Sequence, residues 1–451
     1  MEQIRILAPT AILGYGFPLA SFCRGLAYEP HAIAVDGGSV DPGPYYLGAG
    51  VPFVDRSAVK RDLELILEAG KKHGIPVIIG TAGGAGARPH LDWCLEIIRE
   101  IAREQRFHFR TAIINTEIEA GFLKREAAAG KIKPLGPVQP LTVEEIEKAT
   151  HIVAQIGVET FIQALQGGAE LIVAGRAYDP AVFAALPILE GFDPGLALHL
   201  GKILECASIA AVPGSGSDCM LGILKRDSFS LLPLNPDRRC TVSSVAAHTL
   251  YEKTDPYLLP GPGGVLDLRD CRFSQETETT VRVEGSRFVP DPEYMIKIEG
   301  AKHVGYRAIS IAGACDPFFI AQLDEIIQGV RKQLEENFKS MQQDKYCLNF
   351  HVYGRDGVMG ELEQWQQPAH EIGIIMEAVA ESQELANTVV SFVRSTMLHY
   401  GYPGRVSTAG NLAFPYSPSD FPTGDVYEFS IHHLLRCEDP LAMFPISWEE
   451  I

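Results

Sequence analysis

"SAVKRDLELILEAGKKHGIPVIIG" occupies residues 57–80. Ser57 stands where it can cap a helix in which Val59, Leu63, Ile66 and Leu67 share one face. Lys71, Lys72 and His73 place positive charge at the far end, and Gly74 supplies the stop. The apolar run at 76–80 then reads as a buried strand. The same alternation extends outward. Before it come a strand at 4–8, a helix at 17–26 and a strand at 32–35. After it come a helix at 91–101, a strand at 111–114, a helix at 118–128, and buried strands at 151–157 and 170–175. This order predicts an α/β fold: a mostly parallel sheet flanked by helices.

The texture changes after about residue 225. Residues 265–290, "VLDLRDCRFSQETETTVRVEGSRFVP", alternate apolar with polar side chains and read as antiparallel strands. We therefore expect an antiparallel insertion at about 225–315 within a core domain of 1–340. A helix is expected at 317–334 and a linker at 339–346. Beyond it, strand, strand, helix (382–399) and strand predict a smaller C-terminal α+β module over 341–451.

The chain has 451 residues, 46% hydrophobic and 21% charged, with a formal charge of -18. No Lys/Arg cluster offsets that charge, so neither nucleic acid nor an anionic membrane is an expected partner. No apolar run reaches the roughly 18–20 residues that span a bilayer. Nine cysteines lie scattered without a Cys-x-x-Cys pair. Reduced thiols and a cytoplasmic location are the expectation.

Asp-Pro recurs seven times, at 41, 179, 193, 255, 291, 316 and 439. Asp193 and Asp316 precede helix-like runs and are expected to cap them. Asp179 follows Arg176 at a strand end and is ambiguous. Asp41 leads into Pro-Gly-Pro-Tyr-Tyr-Leu-Gly, which we do not expect to form a regular helix.

In an open α/β sheet, ligands bind beyond the carboxyl ends of the strands. The loops there supply Asp36, Asp41, Tyr45, Arg88, His90, Asn115, Glu117, Arg176, Asp179, Ser217 and Asp218. "GTAGGAGARPH" at 80–90 is not a dinucleotide fingerprint, and no Walker A, H-E-x-x-H or G-x-S-x-G string occurs. Gly83, Gly84 and Gly86 with Arg88 are expected either to hold an anion or to form a tight turn before a helix. The long loop 399–424 adds Asn411, and His432 and His433 should point to opposite faces of a strand.

"DGGSVDPGPYYLGAG", "GTAGGAGARPHLDW", "VAGRAYDPAVFA" and "TAGNLAFPYSPSD" resemble the acyclic terpene utilisation (AtuA-type) family. The resemblance implies a catabolic setting and, through the dicarboxylate-handling enzymes associated with some relatives, a small carboxylate or acyl-CoA substrate. It brings no catalytic assignment.

Our own assignment is a hydratase-type lyase or an isomerase. Asp36 or Asp41 takes a proton beside the acyl group, and His90 or Tyr45 returns one. Arg88, with the glycine N–H groups of 83–86, binds the acid, and Arg176 clamps a second carboxylate. Asn115, Asp179, Ser217 and Asn411 complete the substrate contacts. No cofactor is evident; Mg²⁺ on Asp36, Asp41 and Glu117 is the metal-dependent variant. The alternatives are a non-catalytic subunit of a catabolic complex and a serine hydrolase using Ser217. The tail suits self-association, so a homo-oligomer is expected, with other catabolic subunits as further partners.

Overall fold

The computed structural model describes residues 1–251, 255–338, 345–364, 367–406 and 408–451. They form two compact units, one of residues 1–302 with 429–451, the other of residues 303–428.

In the first unit five strands run parallel. Their order is Gln3–Ala8, Ala32–Asp36, Val77–Gly80, Leu171–Ala174 and Arg110–Ile114. Alternate residues face opposite sides, so each strand feeds two cores. Ile33, Val35, Val77 and Ile79 meet the helices Arg56–His73 and Arg88–Gln105 through Leu63, Ile66, Leu91 and Leu95. Ala32, Ala34, Ile78 and Ile172 meet Asp179–Leu189 and Pro194–Leu204 through Val182, Phe183, Leu200 and Ile203. The parallel α/β core is therefore as the alternation predicts.

The antiparallel insertion is also present. Met220–Lys225, Ser228–Pro233, Val281–Glu284 and Arg272–Gln275 extend the sheet beyond Gln3–Ala8. Leu258–Gly261, Gly264–Asp267 and Arg287–Pro290 make a separate small sheet. At the opposite edge Ile446–Glu450 pairs antiparallel with Arg110–Ile114, a closure that its charged, short run does not announce. The strand Ala149–Ala154 lies outside the parallel sheet and pairs antiparallel with Met295–Ala314. Its apolar run marks burial but not which partner it meets.

Local details differ from expectation in three places. Asp55, not Ser57, caps Arg56–His73, accepting from the N–H groups of Ser57 and Ala58. Pro44–Ala49 does form a short helix after Asp41. Pro at its first position loses no needed N–H, and Gly50 ends it in the left-handed region. The helix expected at 317–334 is broken into Pro317–Ala321 and Leu323–Asn337. Asp193 and Asp316 cap their helices as expected.

The second unit holds the strand, strand and helix read from its sequence: Tyr346–Tyr353, Ile372–Ala380 and Gln383–His399. Ile372–Ala380 pairs antiparallel with Tyr346–Tyr353 on one side and with residues 306–314 on the other. Leu323–Asn337 and Gln383–His399 bury Ile326, Val330, Val389 and Val393 against one sheet face. The two compact units divide at 302/303 and 428/429. The expected cut near 340 and the linker residues 339–344 lie outside the described residues.

No helix among the described residues is long and apolar enough to cross a membrane. All nine cysteines are free.

Candidate functional site

The chain builds Gln3–Ala8, Ala32–Asp36, Val77–Gly80 and Arg110–Ile114, then returns to insert Leu171–Ala174 between the last two. The carboxyl ends of these parallel strands carry a buried polar cluster, in the place the fold reserves for ligands. Asp36 is the last residue of its strand and 6% exposed. Two residues past Leu171–Ala174 comes Arg176, 2% exposed. Gly80 lets the helix Asp179–Leu189 come close, since a Cβ there would stand 2.3 Å from Val182 Cγ2. That approach brings Asp179 to the strand ends.

Arg176 organises the cluster. Its Nε donates to Glu299 Oε2 at 2.9 Å, and its Nη1 to Asp179 Oδ1 at 2.8 Å and to the Ala177 carbonyl at 3.0 Å. None of these bonds uses Nη2. Lys297 reaches the other oxygen of Glu299 at 2.6 Å. On the neighbouring helix Lys202 pairs with Glu205 at 2.6 Å, both nearly buried.

The electrostatics follow from this packing. Burial lifts the Asp36 carboxyl well above the usual carboxylate range, and repulsion from Asp179 and Glu205 adds to it; Arg176 and the Gly38 N–H pull the other way. Burial also opposes charge on Glu299, but Arg176 and Lys297 outweigh it and keep this carboxylate ionised. Burial opposes charge on Lys202 too, and Glu205 holds it protonated. Four carboxyl groups, Asp36, Asp179, Glu205 and Glu299, thus face three cations, Arg176, Lys202 and Lys297. A proton on Asp36 balances the set. Among the described residues its Oδ1 has no hydrogen-bond partner.

A hollow of about 860 Å³ adjoins the cluster. Glu299 and Lys297 line it, together with Val40 and Asp41 and, from the strand Asp420–Arg436, Phe429 and His432.

The other expected residues are distributed differently. Asp41 is exposed at this hollow rather than paired with Asp36 in a dry cleft. The charges with the largest effect on Asp36 are Asp179, Arg176 and Glu205, not Arg88. The Arg88 guanidinium is 60% exposed and bonded to Asp92 at 2.8 Å, because residues four apart on a helix face each other. Its backbone N–H instead donates to Glu117 Oε2 at 2.7 Å.

His90 is fully buried, not at the surface or in a cleft. Its Nε2 lies 3.1 and 3.0 Å from the carbonyls of Tyr46 and Val51, so it pins the short helix Pro44–Ala49 and the residues just past it. Tyr45 is 41% exposed and edge-on to Tyr46. Gly83 and Gly86, in the left-handed region, serve close packing: a Cβ on Gly83 would meet the His90 carbonyl at 2.4 Å, and one on Gly86 the Arg176 nitrogen at 2.2 Å. Gly84 packs against Phe53, whose Cδ1 a Cβ would meet at 2.8 Å. The segment is a tight turn before the helix Arg88–Gln105.

Asn115 takes the Glu117 N–H in a local turn, and Glu117 bonds His151 Nδ1 at 2.6 Å. Among the described residues no group of three or more His, Cys, Asp or Glu could hold a metal ion, so Asp36, Asp41 and Glu117 do not converge on one. Ser217 is exposed, with its N–H on Ser215 Oγ. Asp218 is buried and bonds Asn235 and Arg238, while His248 stacks on Tyr251. In the second unit Asn411 donates to the carbonyls of Met397 and Tyr400 and so closes the end of Gln383–His399. His432 is exposed and His433 buried, as strand alternation predicts.

Sequence reasoning missed Lys202, Glu205, Lys297 and Glu299. The signals were present: Lys202 and His199 are the polar side chains of the largely apolar helix Pro194–Leu204, and Lys297 and Glu299 share one face of a strand.

No curated protein and no solved structure matches the chain. A family model described as "Acyclic terpene utilisation family protein AtuA" matches residues 55–214 and 234–418. The matched segments contain Arg176, Asp179, Lys202, Glu205, Lys297 and Glu299, whereas Asp36 and Asp41 precede them. The match spans most of the sequence, and the chain belongs to the acyclic terpene utilisation family of AtuA-type proteins.

Proposed function

We propose that this chain is a catabolic enzyme of acid/base type, a hydro-lyase or isomerase that moves a proton beside the carboxylate or thioester carbonyl of its substrate. The family assignment supports a place in acyclic terpene breakdown. The observation that carries the chemistry is the buried Asp36, at a strand's carboxyl end beside both Arg176 and Asp179.

Burial raises the proton affinity of Asp36, and a carboxyl held protonated in a dry place serves as an acid. Asp36 keeps its proton and is the acid, with Oδ1 outside any hydrogen bond among the described residues. Asp179, bonded to Arg176 and 23% exposed, is the base that a substrate can reach. Arg176, already fixed by Glu299, presents Nη2 to a substrate carboxylate, and the rigid pair removes the need to order it during binding.

The test is deuterium uptake from solvent at the carbon next to the carboxyl or thioester group, followed by NMR. Ligands would first be found by thermal shift over short acids and acyl thioesters. Uptake with wild type and its loss in Asp36→Asn and Asp179→Asn, with the far-UV spectrum retained, is the expected result. Uptake at the wild-type rate in Asp36→Asn would end the reading.

A further inference from the structure

The hollow beside the Arg176–Glu299 pair has a chemistry of its own. Its volume, about 860 Å³, belongs to the range of roughly 300–1,000 Å³ that encloses drug-sized molecules, far more than a two- or three-carbon acid fills. Much of its wall is apolar: Val40, Val138, Leu141, Phe429 and Ile431 all contribute. A substrate with a sizeable hydrocarbon body can bury it there.

The charges around this wall are already matched. Lys297 is held by Glu299 at 2.6 Å, Lys302 by Glu145 at 3.0 Å and Lys148 by Glu144 at 2.6 Å. Glu144 and Glu145 are themselves wall residues, and they sit in the first turn of Val143–Lys148, where an anion would otherwise find N–H groups. Asp41 adds a further negative charge. Coenzyme A carries a diphosphate and a ribose phosphate, and such groups are held by spare arginines, lysines or uncommitted helix N-termini.

We infer that the hollow takes the apolar body of a substrate bearing at most one negative charge: a free medium-chain acid, or its thioester with a short uncharged thiol, and not the coenzyme A thioester. The inference rests on the acid/base reading of Asp36 and deepens it by naming the form in which the substrate arrives.

The experiment is calorimetric titration of the full chain with octanoate, S-octanoyl-pantetheine and octanoyl-CoA, at roughly 10 mM and 100 mM salt, where the Debye length falls from about 30 to about 10 Å. At low salt the pantetheine thioester should bind about tenfold more tightly than octanoyl-CoA, and salt should narrow the gap. Leu141→Trp should weaken octanoate and the pantetheine thioester by about tenfold or more, by filling the hollow. Glu144→Lys, on an exposed side chain, should tighten octanoyl-CoA and leave the uncharged pantetheine thioester unchanged. Octanoyl-CoA binding as tightly as the pantetheine thioester, unchanged binding in Leu141→Trp, or binding by none of the three overturns the inference. Deuterium uptake next to the carbonyl of octanoate or S-octanoyl-pantetheine is read separately from these affinities. Its absence would remove the role of Asp36 and leave the affinity order standing.

Discussion

Arg176 Nε and Glu299 Oε2 meet at 2.9 Å where each side chain is 2% exposed, and the two residues stand 123 positions apart. Removing one partner strands the other's charge in a medium that solvates it poorly. Glu299→Ala should therefore lower unfolding free energy by about 3–5 kcal/mol in urea titration. A loss below about 1 kcal/mol would mean that water reaches Arg176 in the folded protein.

Asp36 predicts an unusual pH dependence. Its folded proton affinity is raised, so the folded state holds a proton that the unfolded chain, with an aspartate near 3.8, has released. Stability from this residue is present below pH 3.8 and is lost as pH rises through the folded value. Asp36→Asn removes the penalty. It should stabilise the protein by about 1–3 kcal/mol at pH 8 and by little near pH 4, measured by denaturant titration at both. Equal effects at the two pH values would contradict a raised proton affinity.

Gly86 has φ near +73°, and a Cβ would lie 2.2 Å from the Arg176 nitrogen. Both the backbone conformation and the contact oppose a side chain. Gly86→Ala should cost more than about 2 kcal/mol and drop the melting temperature, with Arg176 displaced.

Arg88 supplies the contrast. Its partner Asp92 is also largely in solvent, so the pair contributes little. Arg88→Ala should change stability by less than about 1 kcal/mol and leave ligand-induced thermal shifts intact.

In the second unit, Asn411 satisfies two carbonyls that a helix end leaves without partners. Asn411→Ala should cost about 1–2 kcal/mol. Hydrogen exchange should quicken in the last turn of Gln383–His399 while Arg56–His73 stays unchanged.

Much of the parallel core was legible because 57–80 carries both of its periodicities, 3.6 along the helix and an apolar run in the strand. The strand-end rule also led to Asp36, Arg176 and Asp179. What it could not supply was direction. Arg88 and His90 follow a strand end as closely as Arg176 follows another, yet one turns to Asp92 and the other under residues 46–51. Glu299 lies within Met295–Ala314 and not just past the end of a parallel strand, so the strand-end rule passes it by.

Ile446–Glu450 lies beside Arg110–Ile114, although more than 300 residues of chain separate them. A fragment ending at 428 or 340 would leave that flank of the sheet with bare N–H and C=O groups, an open template for other chains. Truncation at the tail is therefore no clean probe of the second unit. It would expose the first unit to clumping, and during synthesis this flank stays uncovered until residues 446–450 emerge.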